Sequence, residues 1–337
     1  MKDDNERRNE MLAEENSMGA IKRQKEICKG LASIIIPIYN CRKYLEDNLD
    51  FFINQTYEHC EYIFVNDCSS DLYDDVIPNR KNIKIINHKR RKGPGDARNS
   101  GLTLARGEYI FFFDGDDRPS NEIVRKSICK YKDTHAELIV FNYLDSDKEG
   151  LRKNFPNHIY EVKHPILFDN NLAGSVWNKM FLHAVILQHN VRFANNDVAN
   201  EDICFTIEYV SHINSIAFIN EPLYIYYINP DSITSQRYSE INSIERFINS
   251  AYHIWQMGEL NGENYDLFLH EFLYKCIRLG LRNIVNFKSR ASDVLEFLIN
   301  NKKVIAITNK VKQMGKYNNF YDQLLSHDFT QAMKWLC

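Results

Sequence analysis

Residues Leu31–Tyr39 read Leu-Ala-Ser-Ile-Ile-Ile-Pro-Ile-Tyr, a run with almost no polar alternation. A strand with one solvated face places a polar residue at every second position; a strand covered on both faces does not. The run therefore predicts a strand in the middle of a layered α/β domain. Four more segments of this kind follow, at Glu61–Asn66, Asn82–Ile86, Glu108–Phe113 and Leu138–Asn142. Helical patterns separate them. Asn40 is a candidate N-cap for a segment with Leu45, Leu49, Phe52 and Ile53 on one face. Ser69, Ser70 and Asp71 can cap a short helix. Gly93-Pro94-Gly95 opens a helix to about Arg106, with Gly107 placed to end it, and another helix runs from about Asn121 to Tyr131. Strands alternating with helices at this spacing imply parallel strands joined by crossovers, a doubly wound, mostly parallel sheet.

In such sheets ligands bind outside the carboxyl ends of the strands. Asn40, Asp67 and Asp114 each follow a predicted strand end, so three polar groups converge on one edge. The richest of these ends is Asp114-Gly115-Asp116-Asp117. Its three carboxylates repel one another, and a divalent cation relieves that cost. Hard oxygen ligands suit Mg2+ or Mn2+, which bridge to phosphate oxygens. Gly115 leaves room for a ligand near the backbone. The bland reading is a solvated turn with capping acids. Asp67 can accept an N–H from a base such as uracil, or can cap its own turn with Cys68-Ser69-Ser70. Arg98, in Gly93-Pro-Gly-Asp-Ala-Arg-Asn-Ser-Gly101, can pair with a nucleotide or with one of the acids. Neither a Walker loop nor a G-x-G-x-x-G turn is present, which argues against kinases and dinucleotide oxidoreductases.

Further along, the stretch from Asp145 to Asn171 is polar and reads as irregular. Trp177–Gln188 and Glu201–Val210 read as helices, and Ala217–Ile219 and Leu223–Tyr227 as short strands. From about Ser239 onward the pattern is helical. One apolar stripe holds Ile244, Phe247, Ile248, Ala251, Ile254 and Trp255, and a second holds Phe268, Phe272, Leu273, Cys276 and Leu279. Glu201-Asp202 at a helix start can simply complement the helix dipole, or can supply the carboxylate base that a sugar transferase needs. Trp177 is either a stacking platform for a sugar ring or a core residue. The histidines show no metal-ligand spacing.

Composition narrows the classes. The chain has 337 residues, more than one typical domain, and its 44% hydrophobic content supports a full core. A net charge of -3 lacks the basic excess of a nucleic-acid binder. Eight cysteines without a C-x-x-C fit a reducing compartment. Residues 1–30 form a charged extension without a signal-peptide core, and no stretch has the apolar length to span a bilayer. These features predict a cytoplasmic protein, with attachment at the inner face of the cell membrane compatible with them.

Four segments resemble the successive motifs of glycosyltransferase family 2: Ser33-Ile-Ile-Ile-Pro-Ile-Tyr-Asn40, Val65-Asn-Asp-Cys-Ser-Ser-Asp71, Gly95-Asp-Ala-Arg-Asn-Ser-Gly-Leu102 and Phe112-Phe-Asp-Gly-Asp-Asp117. Val176-Trp-Asn-Lys-Met-Phe181, Glu201-Asp202 and Glu221-Pro-Leu-Tyr224 through Asp231-Ser-Ile-Thr234 resemble later motifs of its capsule and cell-wall branch. The ordered set covers about Leu31 to Thr234. The resemblance implies a GT-A domain over 31–235, with a nucleotide-binding half at 31–120 and an acceptor half at 121–235, followed by a C-terminal helical region at 236–337. It implies inverting transfer from a nucleotide-sugar, usually a UDP-sugar, to a glycan or lipid-linked acceptor. Pro37, Tyr39 and Asn40 would line the base, Asp67 would meet the uracil, and Arg98 and Gly115 would lie near the nucleotide. Asp114 and Asp116 would hold Mn2+ or Mg2+. Asp202 would be the base, with Glu201 the fallback, and Trp177 and Asn178 would face the acceptor. The C-terminal helices would serve as a packed subdomain, an oligomer contact or a docking face. Asn66 stands where relatives usually carry an acid, and Tyr227 where they often carry Arg. Two other readings are a non-catalytic nucleotide-sugar-binding scaffold, which the intact acids and Arg98 oppose, and a metal-dependent nucleotidyltransferase, which the missing phosphate loop opposes.

Overall fold

The structure is a computed structural model, and it describes residues 26–146, 160–161, 174–195, 198–227, 243–256 and 291–313. Its strands are β1 (Cys28–Ile38), β2 (Cys60–Asn66), β3 (Ile83–Asn87), β4 (Gly107–Phe112), β5 (Arg118–Pro119), β6 (Leu138–Asp145), β7 (Tyr160–Glu161), β8 (Lys179–Leu182) and β9 (Ser215–Tyr226). Helices are α1 (Arg42–Ile53), α2 (Pro94–Leu104), α3 (Ile123–Thr134), α4 (His183–Gln188), α5 (Glu201–Val210), α6 (Ser243–Gln256), α7 (Ala291–Asn300) and α8 (Lys302–Gln313).

One sheet runs β3-β2-β1-β4-β8-β6-β9-β5, with β7 paired to β9. The first four strands are parallel, as are β6 and β9, whereas β8 runs antiparallel between β4 and β6. The apolar runs explain why β1 and β4 lie centrally. Ile34, Ile36 and Ile38 of β1 join Phe111 of β4, Phe113 and the apolar faces of α1 and α3 on one side. Ile35, Ile110 and Phe112 join Ala97 and Leu102 of α2, Ile186 of α4 and Phe205 and Tyr209 of α5 on the other. Each such fully buried Ile or Phe contributes about 2 kcal/mol.

Several local expectations change. Asn40 does not cap α1; Cys41 holds that position. Instead the Asn40 Oδ1 accepts the Ser70 N–H at 2.9 Å, tying the end of β1 to the loop after β2. That loop forms turns rather than a helix, and Asp71 caps α1 by accepting the Arg42 N–H at 3.1 Å. α2 stops at Leu104, and Gly107 begins β4 rather than ending the helix. A Cβ on Gly107 would sit 2.6 Å from the Ser33 nitrogen and 2.7 Å from the Leu31 oxygen, so glycine is there to let two strands meet. Trp177–Gln188 is not one helix: Lys179–Leu182 is a strand and only His183–Gln188 is helical. The two short strands predicted near 217–227 are one strand, β9, with register shifts against β6.

On the C-terminal side, Ile244, Ile248, Ala251 and Ile254 of α6 are buried, and α6 packs against α5 and α8. The stripe from Phe268 to Leu279, the Asp231–Thr234 motif and most of the polar 145–171 stretch and of the N-terminal extension lie outside the described residues. Among the described residues no helix is long and apolar enough to cross a membrane.

Candidate active site

The carboxyl edge of the parallel strands gathers the acids. Asp114 follows β4 by two residues, and its backbone N–H donates to the Tyr224 hydroxyl of β9 at 3.0 Å. Arg98, one turn into α2, reaches the same place from beneath the edge. Its Nη2 donates to Asp114 Oδ1 at 2.7 Å; its Nη1 donates to Asp202 Oδ1 at 2.8 Å and to Glu201 Oε1 at 3.2 Å. Three carboxylates from two distant segments therefore meet on one guanidinium that is 3% exposed. The Arg98 Nε has no partner among the described residues, and its guanidinium lies 5.4 Å from the Phe193 ring centroid.

Asp67 is buried at the end of β2. It accepts N–H groups from Lys92 at 2.9 and 3.1 Å and from Gly93 at 2.7 Å, and its Oδ1 lies 2.6 Å from His88 Nδ1. It caps the loop that enters α2. Tyr39 is exposed, and the Arg91 guanidinium lies 4.1 Å over its ring. Pro37 is half-buried beside it.

Three assignments made from sequence need correction. Gly115 does not leave room for a ligand: a Cβ there would lie 2.8 Å from Ile38 Cγ2 and 3.0 Å from the Pro37 oxygen, so the end of β1 fills that space. Trp177 is not a sugar platform. Tyr224 and Tyr226 stack on it with centroids 4.7 and 5.7 Å away, Tyr143 meets it edge-on at 4.6 Å, and 7% of it is exposed. Asn178 is likewise buried, its Oδ1 accepting from Ser175 Oγ at 3.0 Å and from Lys179 Nζ at 2.7 Å. The Val-Trp-Asn-Lys segment underlies the site instead of facing an acceptor.

Residues 33–188 match the family profile described as "Glycosyl transferase family 2". Over this segment the chain resembles glycosyltransferase family 2. The profile spans Arg98, Asp114 and Asp116 and ends before Glu201-Asp202. EpsH of Bacillus subtilis, named as a glycosyltransferase, is 30% identical over 226 residues, which cover 62% of this chain and 63% of EpsH. The poly(ribitol-phosphate) beta-N-acetylglucosaminyltransferase TarP of Staphylococcus aureus is 28% identical over 305 residues, 85% of this chain and 90% of TarP. Residues 1–349 of S. aureus TarS, solved in complex with UDP-GlcNAc, superpose with a TM-score of 0.73 at 19% identity, covering 91% of this chain and 90% of that one. That likeness shows a shared GT-A-type fold.

Along this edge the electrostatics differ from acid to acid. Burial pushes the Asp202 carboxyl up to about 7; Arg98 opposes that shift, while Glu201 and Asp114 add to it. A carboxylate in that range is suited to take a proton near neutrality. Asp117 is 1% exposed, and burial, then Asp114 and Asp116, raise it well above the usual carboxylate range. Its Oδ1 accepts the Tyr227 N–H at 2.9 Å, and the Tyr224 side chain also stabilises its charged form. Asp117 thus anchors the end of β9 under the acidic run, and the Tyr227 backbone serves this loop through Asp117. Among the described residues no three of His, Cys, Asp and Glu are arranged to hold a metal alone. Asp114 and Asp116 are both half-buried at the strand end. Two carboxylates of this kind would suit part of the oxygen shell of a hard cation.

His88 and Lys179 are not among the site residues predicted from the sequence. His88 follows the end of β3, bridging Asp67 and Ser100, whose Oγ lies 2.9 Å from His88 Nε2. The strand-end rule that picked out Asp67 and Asp114 applies equally to it. Lys179 is a lone cation in an apolar segment, the residue type least often buried without a reason.

Replacing Arg98 with methionine leaves three carboxylates facing one another. It is expected to lower stability by about 3 kcal/mol, the usual cost of breaking a buried ionic cluster from one side. Chemical denaturation followed by circular dichroism measures this; an unchanged midpoint would mean the cluster carries no net stabilisation.

Proposed function

We propose that the protein is an inverting glycosyltransferase that moves a hexose or N-acetylhexosamine from a UDP-sugar to a hydroxyl of a glycan or lipid-linked acceptor. The single observation carrying this reading is the Arg98 guanidinium, which brings Asp202 to Asp114 at 2.8 and 2.7 Å. A candidate base and a candidate diphosphate-side acid thereby meet at one edge of the sheet. The family match and the names of TarP and TarS support the UDP-sugar and the cell-surface acceptor.

In this reading residues 31–120 hold the nucleotide and 121–235 the acceptor. Pro37, Tyr39 and Asn40 border the base. Asp67 serves the uracil side with a carboxylate it shares with the Lys92–Gly93 turn. Asp114 and Asp116 would hold Mn2+ or Mg2+, which would supply charge stabilisation to the departing diphosphate. Arg98 adds a fixed positive charge to the same edge and orients Asp202. Asp202 takes the acceptor proton, with Glu201 beside it. The acceptor oxygen attacks the anomeric carbon opposite the leaving group, so one displacement inverts the configuration and no covalent enzyme intermediate forms. The chemistry suits a cytoplasmic enzyme working on acceptors presented at the inner face of the membrane.

The test is a panel of UDP-glucose, UDP-galactose and their N-acetylated forms, with Mn2+ or with EDTA, reading UDP release with and without candidate acceptors. Metal-dependent release with one donor is expected. Tight donor binding without release on any acceptor or on water would favour the scaffold reading.

A further inference from the structure

Lys179 opens β8 in the interior of the sheet and is 1% exposed. Its ammonium donates to Asn178 Oδ1 at 2.7 Å and to the Ser175 carbonyl. It forms no ion pair among the described residues, so the positive charge is buried without a direct counter-charge. Burial brings its pKa down to about 7, and the nearby Asp202 acts in the opposite sense. A methionine in its place would avoid the desolvation cost of an ammonium. The geometry indicates what the ammonium does. Ser175 Oγ donates to the same Asn178 Oδ1 at 3.0 Å, so Lys179 and Ser175 together close a tight turn over Ser175–Asn178. Between them, the Val176 N–H points at Asp202 Oδ2 at 3.4 Å.

We propose that Lys179 is a positioning residue for the base: its ammonium fixes the Ser175–Asn178 turn that presents the Val176 N–H to Asp202, and its charge favours the ionised carboxylate. The proposal rests on the reading of Asp202 as base. Four charged groups face that carboxylate: Arg98 from α2, Glu201 from its own helix, Asp114 from the end of β4, and Lys179 from β8. Arg98 divides its charge among three acids, while Lys179 has Asp202 as its one charged neighbour of note.

The experiment is the pH profile of UDP release, with Mn2+ and water as acceptor, for wild type, Lys179→Met and Lys179→Arg, using the UDP-sugar of the panel that the wild type turns over. In Lys179→Met the acid limb is expected to move up by about one unit and kcat to fall about tenfold, with the donor KM unchanged. Lys179→Arg is expected to keep the limb near its wild-type position, because it keeps the charge. An unmoved limb in Lys179→Met, or a limb displaced in Lys179→Arg, overturns the proposal. So does equal loss of donor affinity in both variants, which would mark a general packing role. Should Lys179→Met fail to fold, the arginine variant decides by the same criterion. A wild type that releases no UDP from any donor overturns the functional reading itself, a result distinct from all of these.

Discussion

Asp202→Asn is expected to lower turnover by roughly 10²–10⁴-fold, the usual range for removing a general base, while leaving UDP-sugar affinity intact. Asparagine keeps the shape, and its oxygen can still accept from Arg98, so the cluster on α2 survives. What it loses is the capacity to take the acceptor proton. The pH dependence follows from the same group. Burial pushes Asp202 up to about 7, so its ionised fraction falls as pH drops through neutrality. kcat/KM for the wild type should then fall about tenfold for each pH unit below that point. Steady-state kinetics on both proteins across the neutral range measure it. A wild-type rate in Asp202→Asn would remove the residue from the chemistry and turn attention to Glu201.

Asp116→Ala should abolish the metal dependence of turnover. A cation held by two carboxylates and a diphosphate supplies several kcal/mol of charge stabilisation. At 1.36 kcal/mol per tenfold, its loss lowers the rate by about a hundredfold or more. Asp116 is the informative position, because Asp114 also binds Arg98 at 2.7 Å and its replacement would disturb two interactions at once. EDTA treatment of the wild type should bring it to the level of the variant, and excess Mn2+ should not rescue the variant. Full rescue would move the cation to other ligands.

The parallel half of the sheet was legible because burial on both faces writes itself as an unbroken apolar run, as in Leu31–Tyr39 and Glu108–Phe113. The acids at the strand ends were legible for the same reason: once a strand is placed, its carboxyl end is placed too. Trp177–Gln188 misled because a four-residue strand followed directly by a six-residue helix has too few residues for either period to declare itself. Trp177 gave no local sign of being core, since the rings that cover it come from Tyr143, Tyr224 and Tyr226, far away in the chain. Gly115 misled in the same manner. The turn around it is short and polar, but the atoms that occupy its missing Cβ belong to Pro37 and Ile38. The union of Arg98 with Glu201 and Asp202 is a long-range contact that no spacing rule encodes, and the family resemblance, which set Arg98 near the nucleotide and Asp202 at the acceptor, did not join them.

The most direct test of the account is a calorimetric titration of the turned-over UDP-sugar, in Mn2+, into wild type, Asp202→Asn and Asp116→Ala. Wild-type affinity is expected in Asp202→Asn and a loss of affinity in Asp116→Ala, because one acid serves the acceptor and the other the donor. Equal affinity in all three proteins would contradict it, for the donor would then bind somewhere other than the carboxyl edge that Asp114, Asp116 and Arg98 define.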